Sequence, residues 1–223
     1  MQWLRMAAIC GLMMIGFSSM VRADFVVPSF RGEALTTYQQ WDVFSSTTGP
    51  NAPDVANDNA AGTANVVETT GLAFVTGGGN IYSFAGATAF EVTVPDFGLG
   101  AGYLTNVVVQ IRTQGTDVDT ASLFFDGIVP TSTELLFEQA LGGFGGVLRD
   151  WKFEWTGIFG SIDLHQLDFA ASGSSMSLDR LAIDTQVVAV PEAGSLALGS
   201  CGVLLVAGLR RLRRRSSCRR SEK

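Results

Sequence analysis

The stretch Trp151-Lys152-Phe153-Glu154-Trp155-Thr156 decides the fold class. Three aromatic rings alternate with polar residues, and Gly157 closes the run. Successive side chains of a strand point to opposite faces, so this period of two means a strand with one buried face. Outward from it the same period recurs. Phe90, Val92 and Val94 alternate with Glu91 and Thr93 until Pro95. Val107, Val109 and Ile111 alternate with Val108, Gln110 and Arg112. Leu181, Ile183 and Val187 share one face, and Asp184 and Gln186 the other. Shorter candidates are Ser122–Phe125, Glu134–Gln139, Ile81–Phe84 and Leu167–Phe169, with Gly, Asn and Asp between runs. One-sided alternation implies antiparallel sheets with one wet face. Two such sheets face to face give a mainly β fold, an antiparallel, jelly-roll-like β-sandwich. The segment Glu33–Phe44 stays open, because Tyr38, Trp41 and Phe44 also fit one helical face. The stretch Gly49–Gly79 is poor in charge and reads as a long loop, with a short strand at Ala73–Thr76. No internal repeat is visible.

Charge divides the chain. Charged residues are only 16% of the 223, against about 25% in typical soluble domains. Between Asp24 and Pro191 five basic residues (Arg31, Arg112, Arg149, Lys152 and Arg180) stand against 19 acidic ones, a net of −14. Such a span repels phosphate backbones, so the expected partners include no nucleic acid. Cys10, Cys201 and Cys218 all lie near the ends. The central span therefore has no disulfide framework and no thiolate metal site, and its stability rests on an apolar core.

The two ends read as address signals. Arg5, the apolar run Met6 to Phe17, and then Ser18 to Ala23 form a secretory leader over residues 1–23. Val21 and Ala23 take the −3 and −1 positions for cleavage between Ala23 and Asp24. A permanent anchor is the alternative, but about a dozen apolar residues is short for a span. Cys10 follows Ile9, where a lipoprotein acceptor needs a small residue. At the other end, residues 190–223 run through Val190-Pro191-Glu192-Ala193-Gly194-Ser195, an apolar helix over 196–209, and an arginine tail. Counted from Ala193, the weakly polar segment makes about 25 Å of helix, near the lower limit for a bilayer core of ~30 Å. The arginines stay on the cytoplasmic side, which leaves the ectodomain, residues 24–189, outside.

This tail resembles the PEP-CTERM sorting signal in its order: Pro-Glu motif, short apolar helix, arginine cluster, chain end. The resemblance covers about the last 30 residues; Ala193 stands where a second proline is usual, and Gly194 precedes Ser195. It implies recognition at Pro191 and Glu192, with Arg210, Arg211, Arg213, Arg214 and Arg215 as the terminal cluster. It also implies processing by an exosortase-type sorting protease and membrane anchorage before processing. Afterwards the protein would stay at the cell surface or in an extracellular polysaccharide matrix. The stretch Ser174 to Asp184 is in turn similar to the last strand of galactose-binding-like jelly rolls.

Catalytic signals are sparse. His165 is the only histidine, and no Gly-x-Ser-x-Gly elbow is present. It reads as an ordinary surface or half-buried side chain. One histidine and no ectodomain cysteine exclude a protein zinc site. Gly98-Leu99-Gly100-Ala101-Gly102 lacks the βαβ context of a phosphate loop and reads as a turn. Asp117 with Asp119, and Asp54 with Asp58, offer oxygen ligands that suit calcium, or ordinary turn chemistry; no other cofactor is expected. No carboxylate pair stands out for glycoside hydrolysis. Trp41, Trp151 and Trp155 are the aromatic candidates for a sugar platform, with burial in the core as the plainer reading. The expected function is a structural or adhesive envelope protein, not an enzyme. The alternative is a secreted carbohydrate-binding module or carbohydrate-active enzyme on a jelly roll.

Overall fold

The computed structural model describes residues 24–58, 62–142 and 145–190. The leader up to Ala23 lies outside these residues. So do Pro191, Glu192, the apolar segment 196–209 and the arginine cluster. Among the described residues no helix is long and apolar enough to cross a membrane.

The chain forms two antiparallel sheets. The larger contains β1 (Thr36–Trp41), β2 (Val55–Asp58), β7 (Gly100–Gly115), β9 (Ser132–Ala140), β10 (Val147–Ser161) and β12 (Met176–Ala189), in the order β2-β1-β12-β7-β10-β9. A hairpin of β4 (Phe74–Val75) and β5 (Ile81–Tyr82) joins it on β12. The smaller sheet has the order β3-β6-β11-β8, from β3 (Asn65–Glu68), β6 (Ala89–Pro95), β8 (Phe124–Phe125) and β11 (Leu164–Ala170).

The alternation read from sequence supplies the inward faces. Phe90, Val92, Val94, Leu167 and Phe169 of the smaller sheet meet Val107, Val109, Ile111, Phe153, Trp155, Leu181 and Ile183 of the larger in one buried cluster. This is a β-sandwich, and removing so many apolar side chains from water is its main stabilising term.

Several local readings are revised. The open segment Glu33–Phe44 is a strand: Trp41 is buried, and Tyr38 lies on the opposite face. The stretch Gly49–Gly79, read as a long loop with a short strand at Ala73–Thr76, holds that strand as β4 but also β2 and β3, and Val66 of β3 is fully buried. Gly157 does not end its strand. It sits at a register shift in β10, with φ 71°, and the strand continues to Ser161. Ser122–Phe125 divides into a 3-10 turn at Thr120–Ser122 and the two-residue β8.

The outer face of the larger sheet is not wet at its centre. Gln110, Arg112 and Asp184 are fully buried there, and Asp150 is 1% exposed. The N-terminal segment lies over them. Val26 donates through its backbone N–H to Gln110 Oε1 (2.7 Å) and accepts from Gln110 Nε2 (2.8 Å). The Phe25 ring faces the Arg112 and Arg180 guanidinium groups. Arg31 makes a two-point pair with Asp184 at 2.5 and 2.8 Å and stacks on Tyr38. Asp24, the first residue after the expected cleavage point, lies 3.8 Å from Arg180.

Close backbone approach fixes one end of the sheet. Gly115 has φ 86°, and a Cβ there would stand 2.3 Å from the Ser175 carbonyl oxygen. Gly115→Ala is expected to lower stability by about 2 kcal/mol from the left-handed conformation and the clash together. Urea unfolding of the variant checks this.

Candidate functional site

The β4–β5 hairpin places three aromatic rings on the surface. Ile81 points inward and is fully buried; Tyr82 takes the opposite face by strand alternation. Ser83, fully buried, donates its hydroxyl to the Leu72 carbonyl (3.0 Å) and anchors the segment, so Phe84 again points out, 72% exposed. Phe74 of β4 is 43% exposed. The rings hold one another: Tyr82 meets Phe84 edge-on at 4.6 Å, Phe74 meets Tyr82 edge-on at 5.7 Å, and Phe74 stacks on Phe84 at 5.6 Å. Such contacts fix ring orientation as well as adding attraction.

Strand register extends this group into a row. Phe74 stands opposite Tyr82, Tyr82 opposite Ser177, and Ser177 opposite Gln114. Directly opposed residues share a face. The row therefore crosses four strands on the outer face, about 14 Å from Phe74 to Gln114 at the usual strand spacing. It floors an open cleft of about 880 Å³, to which Thr76, Asn80, Thr116 and Ser175 also contribute. Aromatic walls with a few converging amides and hydroxyls are the usual make-up of a small-molecule or oligomer site. Among the described residues, no acidic, basic or histidine side chain lines the cleft.

The tryptophans weighed as a sugar platform lie elsewhere. Trp41 and Trp155 are buried, donating their indole N–H groups to the carbonyls of Asn51 and Ile128. Trp151 packs against the core and donates to Asp117. The core reading of these rings holds, and Phe74, Tyr82 and Phe84 are the aromatic residues that sequence reasoning missed. In Ile81–Phe84 both alternating sets are apolar or small, so the pattern could not say which faced water.

Of the calcium candidates, Asp117, Asp119 and Asp54 are engaged within the fold. Asp117 accepts from Trp151 Nε1 (2.9 Å), Thr113 (3.2 Å) and the Val118 N–H (2.8 Å), and pairs with Arg149 at 3.3 Å. Asp119 caps the 3-10 turn through the Ala121 N–H. Asp54 accepts from the backbone N–H groups of Asp42 and Val43. Asp58 lies in β2. Among the described residues no three His, Cys, Asp or Glu side chains are grouped to hold a metal ion. Of the Gly98–Gly102 stretch, read as a turn, only Gly98 and Leu99 precede β7; Gly100, Ala101 and Gly102 are its first residues.

His165 is neither on the surface nor half-buried: its side chain is fully enclosed. Alternation in β11 puts it on the inward face with Leu167 and Phe169, a signal that extending the Leu167–Phe169 run by two residues would have caught. Its Nδ1 bonds Asp126 Oδ2 at 2.5 Å and its Nε2 bonds Asp96 Oδ2 at 3.0 Å. Thr105 and Ser161 donate to the same Asp96 oxygen, each at 2.9 Å. Burial disfavours the charged ring, but the hydrogen bonds it donates to the Asp126 and Asp96 carboxylates outweigh it and push its pKa up to about 9. Burial likewise raises Asp96, and bonds from His165, Ser161 and Thr105 carry its pKa below the ordinary value. Ser161 bonds Asp96 rather than His165, so no nucleophile–base pair exists here. The cluster ties the ends of β6, β10 and β11 to the turn after β8.

No protein-family profile matches the chain, and no curated protein sequence matches it. Among solved structures, the enzymatically active domain of bacteriophage CBA120 tailspike protein 4 is similar at 16% identity, with a TM-score of 0.21. That likeness covers 70% of this chain and 20% of the tailspike chain, so this chain spans about a fifth of its length.

Proposed function

We propose that this chain is an exported, membrane-sorted envelope protein with a structural or adhesive role, whose sandwich presents an aromatic cleft to extracellular polysaccharide. The observation that carries the reading is the cleft's place. The chain leaves the sandwich at Val190, whose N–H bonds Gly102 near the start of β7. The cleft is built around Gln114 and Gly115 at the far end of the same strand. Twelve residues of extended chain separate Tyr103, opposite Ala189, from Gly115, which is about 40 Å. A tail held at the membrane would thus display the cleft away from it.

In this reading the PEP-CTERM-like tail, with Pro191 and Glu192, is the substrate of an exosortase-type protease, and the leader is removed before Asp24. The strand sequence supports a jelly-roll winding, because the chain passes between the sheets from β6 to β7, to β8, to β9 and β10, to β11 and to β12. A cleft lined by aromatics and neutral polar groups, with no carboxylate among the described residues, favours binding over glycoside hydrolysis.

Intact mass of the protein from each cell fraction of its native host tests the sorting. The expected species starts at Asp24 and lacks the chain beyond the Pro191–Glu192 region. A cytoplasmic chain that starts at Met1 and keeps its arginine tail would overturn the proposal.

A further inference from the structure

We infer that the cleft selects an uncharged glycan chain and rejects acidic ones; this deepens the proposed function and rests on its carbohydrate reading.

Two independent observations carry the selection. The first is local. Every described residue lining the cleft is aromatic, glycine or neutral polar. Gln114 and Ser177 stand side by side in the register next to Tyr82, so a ring stacked on the aromatics meets an amide and a hydroxyl along the same row. These groups both donate and accept, which suits the hydroxyls of a neutral sugar.

The second is global. Recognition of uronate or sulfate groups draws on lysine or arginine, arginine forming two-point hydrogen bonds. All five basic residues between Asp24 and Val190 are already paired with carboxylates. Arg31 holds Asp184, Arg112 holds Asp150, and Arg180 holds Asp42. Arg149 holds Asp117 and Glu138, and Lys152 holds Glu134 and Glu154. The span's net charge of −14 adds long-range repulsion of an acidic polymer, strongest at low salt. Asp179, bonded to Asn80 at 2.9 Å, brings a carboxylate to the cleft's margin.

Titration calorimetry of the full chain in detergent tests this. The neutral probes are dextran, mixed-linkage β-glucan, xylan and galactomannan. The acidic probes are alginate and polygalacturonate, and a proline-rich peptide is the non-glycan control. The expected result is binding of at least one neutral polymer, weakened at least tenfold by Phe84→Ala and by Gln114→Ala at unchanged melting temperature. The acidic polymers should not bind at low salt. Comparable binding of alginate or polygalacturonate overturns the selection but leaves the carbohydrate reading standing. Binding that neither variant weakens overturns the cleft as the site. Binding of the peptide alone, or of no probe, overturns the carbohydrate reading itself.

Discussion

Replacing His165 with alanine is expected to lower the unfolding free energy by about 3–5 kcal/mol, because it leaves two carboxylates without the cation between them. Asp96 is 1% exposed and directs one oxygen at His165, Ser161 and Thr105 together. Without the imidazolium, that charge keeps only two neutral donors in a site closed to water, while Asp126 loses its 2.5 Å bond. The loss should depend on pH in a defined direction. The folded pKa of about 9 lies above the ordinary histidine value of 6.5. The stabilisation is therefore fully present below about pH 6.5 and fades as pH rises through about 9. Asp96, whose pKa is lowered, contributes in the opposite sense: its share is present above about pH 3.8 and is lost as pH falls below that. Urea unfolding of the wild type and His165→Ala at pH 6 and pH 10 measures both effects. The gap between the two proteins should be widest at pH 6. A gap under about 1 kcal/mol there, or one that grows towards pH 10, would show that the cation is not what holds this cluster.

Asp150→Ala should destabilise the chain by a similar amount, about 3–5 kcal/mol. Arg112 is fully buried beneath the N-terminal segment and makes charge-assisted bonds to Asp150 at 2.6 and 2.7 Å. Burial lowers the guanidinium pKa, yet its bond to Asp150 and the attraction of that carboxylate raise it on balance, so it stays charged. Removing the carboxylate strips the main compensation from a cation held out of water. The double variant Arg112→Met, Asp150→Leu removes both charges at similar volume and should recover most of the loss. Denaturant unfolding of the two variants gives the comparison. If the single variant costs no more than the double one, the penalty comes from packing and not from the uncompensated charge.

The sequence by itself determined the sheets. Where one face of a strand is buried, apolar and polar residues must alternate. Trp151–Thr156, Phe90–Pro95 and Val107–Arg112 therefore announced β10, β6 and β7 with their inward sets correct. It also determined the charge balance, because a count of ionisable groups needs no coordinates. It lost β2 and β3, since four residues each are too few for a period to stand out. It could not see that the outer face of the larger sheet is covered, because that depends on where residues 24–31 cross strands more than 70 positions away in sequence.

The two sites were decided by tertiary structure alone. Asp96, Asp126 and His165 come from separate loops and strands, so no local spacing joins them. The cleft arises because β5 pairs with β12, and β12 with β7, bringing Tyr82, Ser177 and Gln114 into one row. Local sequence fixes which residues can share a face of a strand. Only the pairing of distant strands fixes which faces become neighbours, and the aromatic cleft is made of those neighbours.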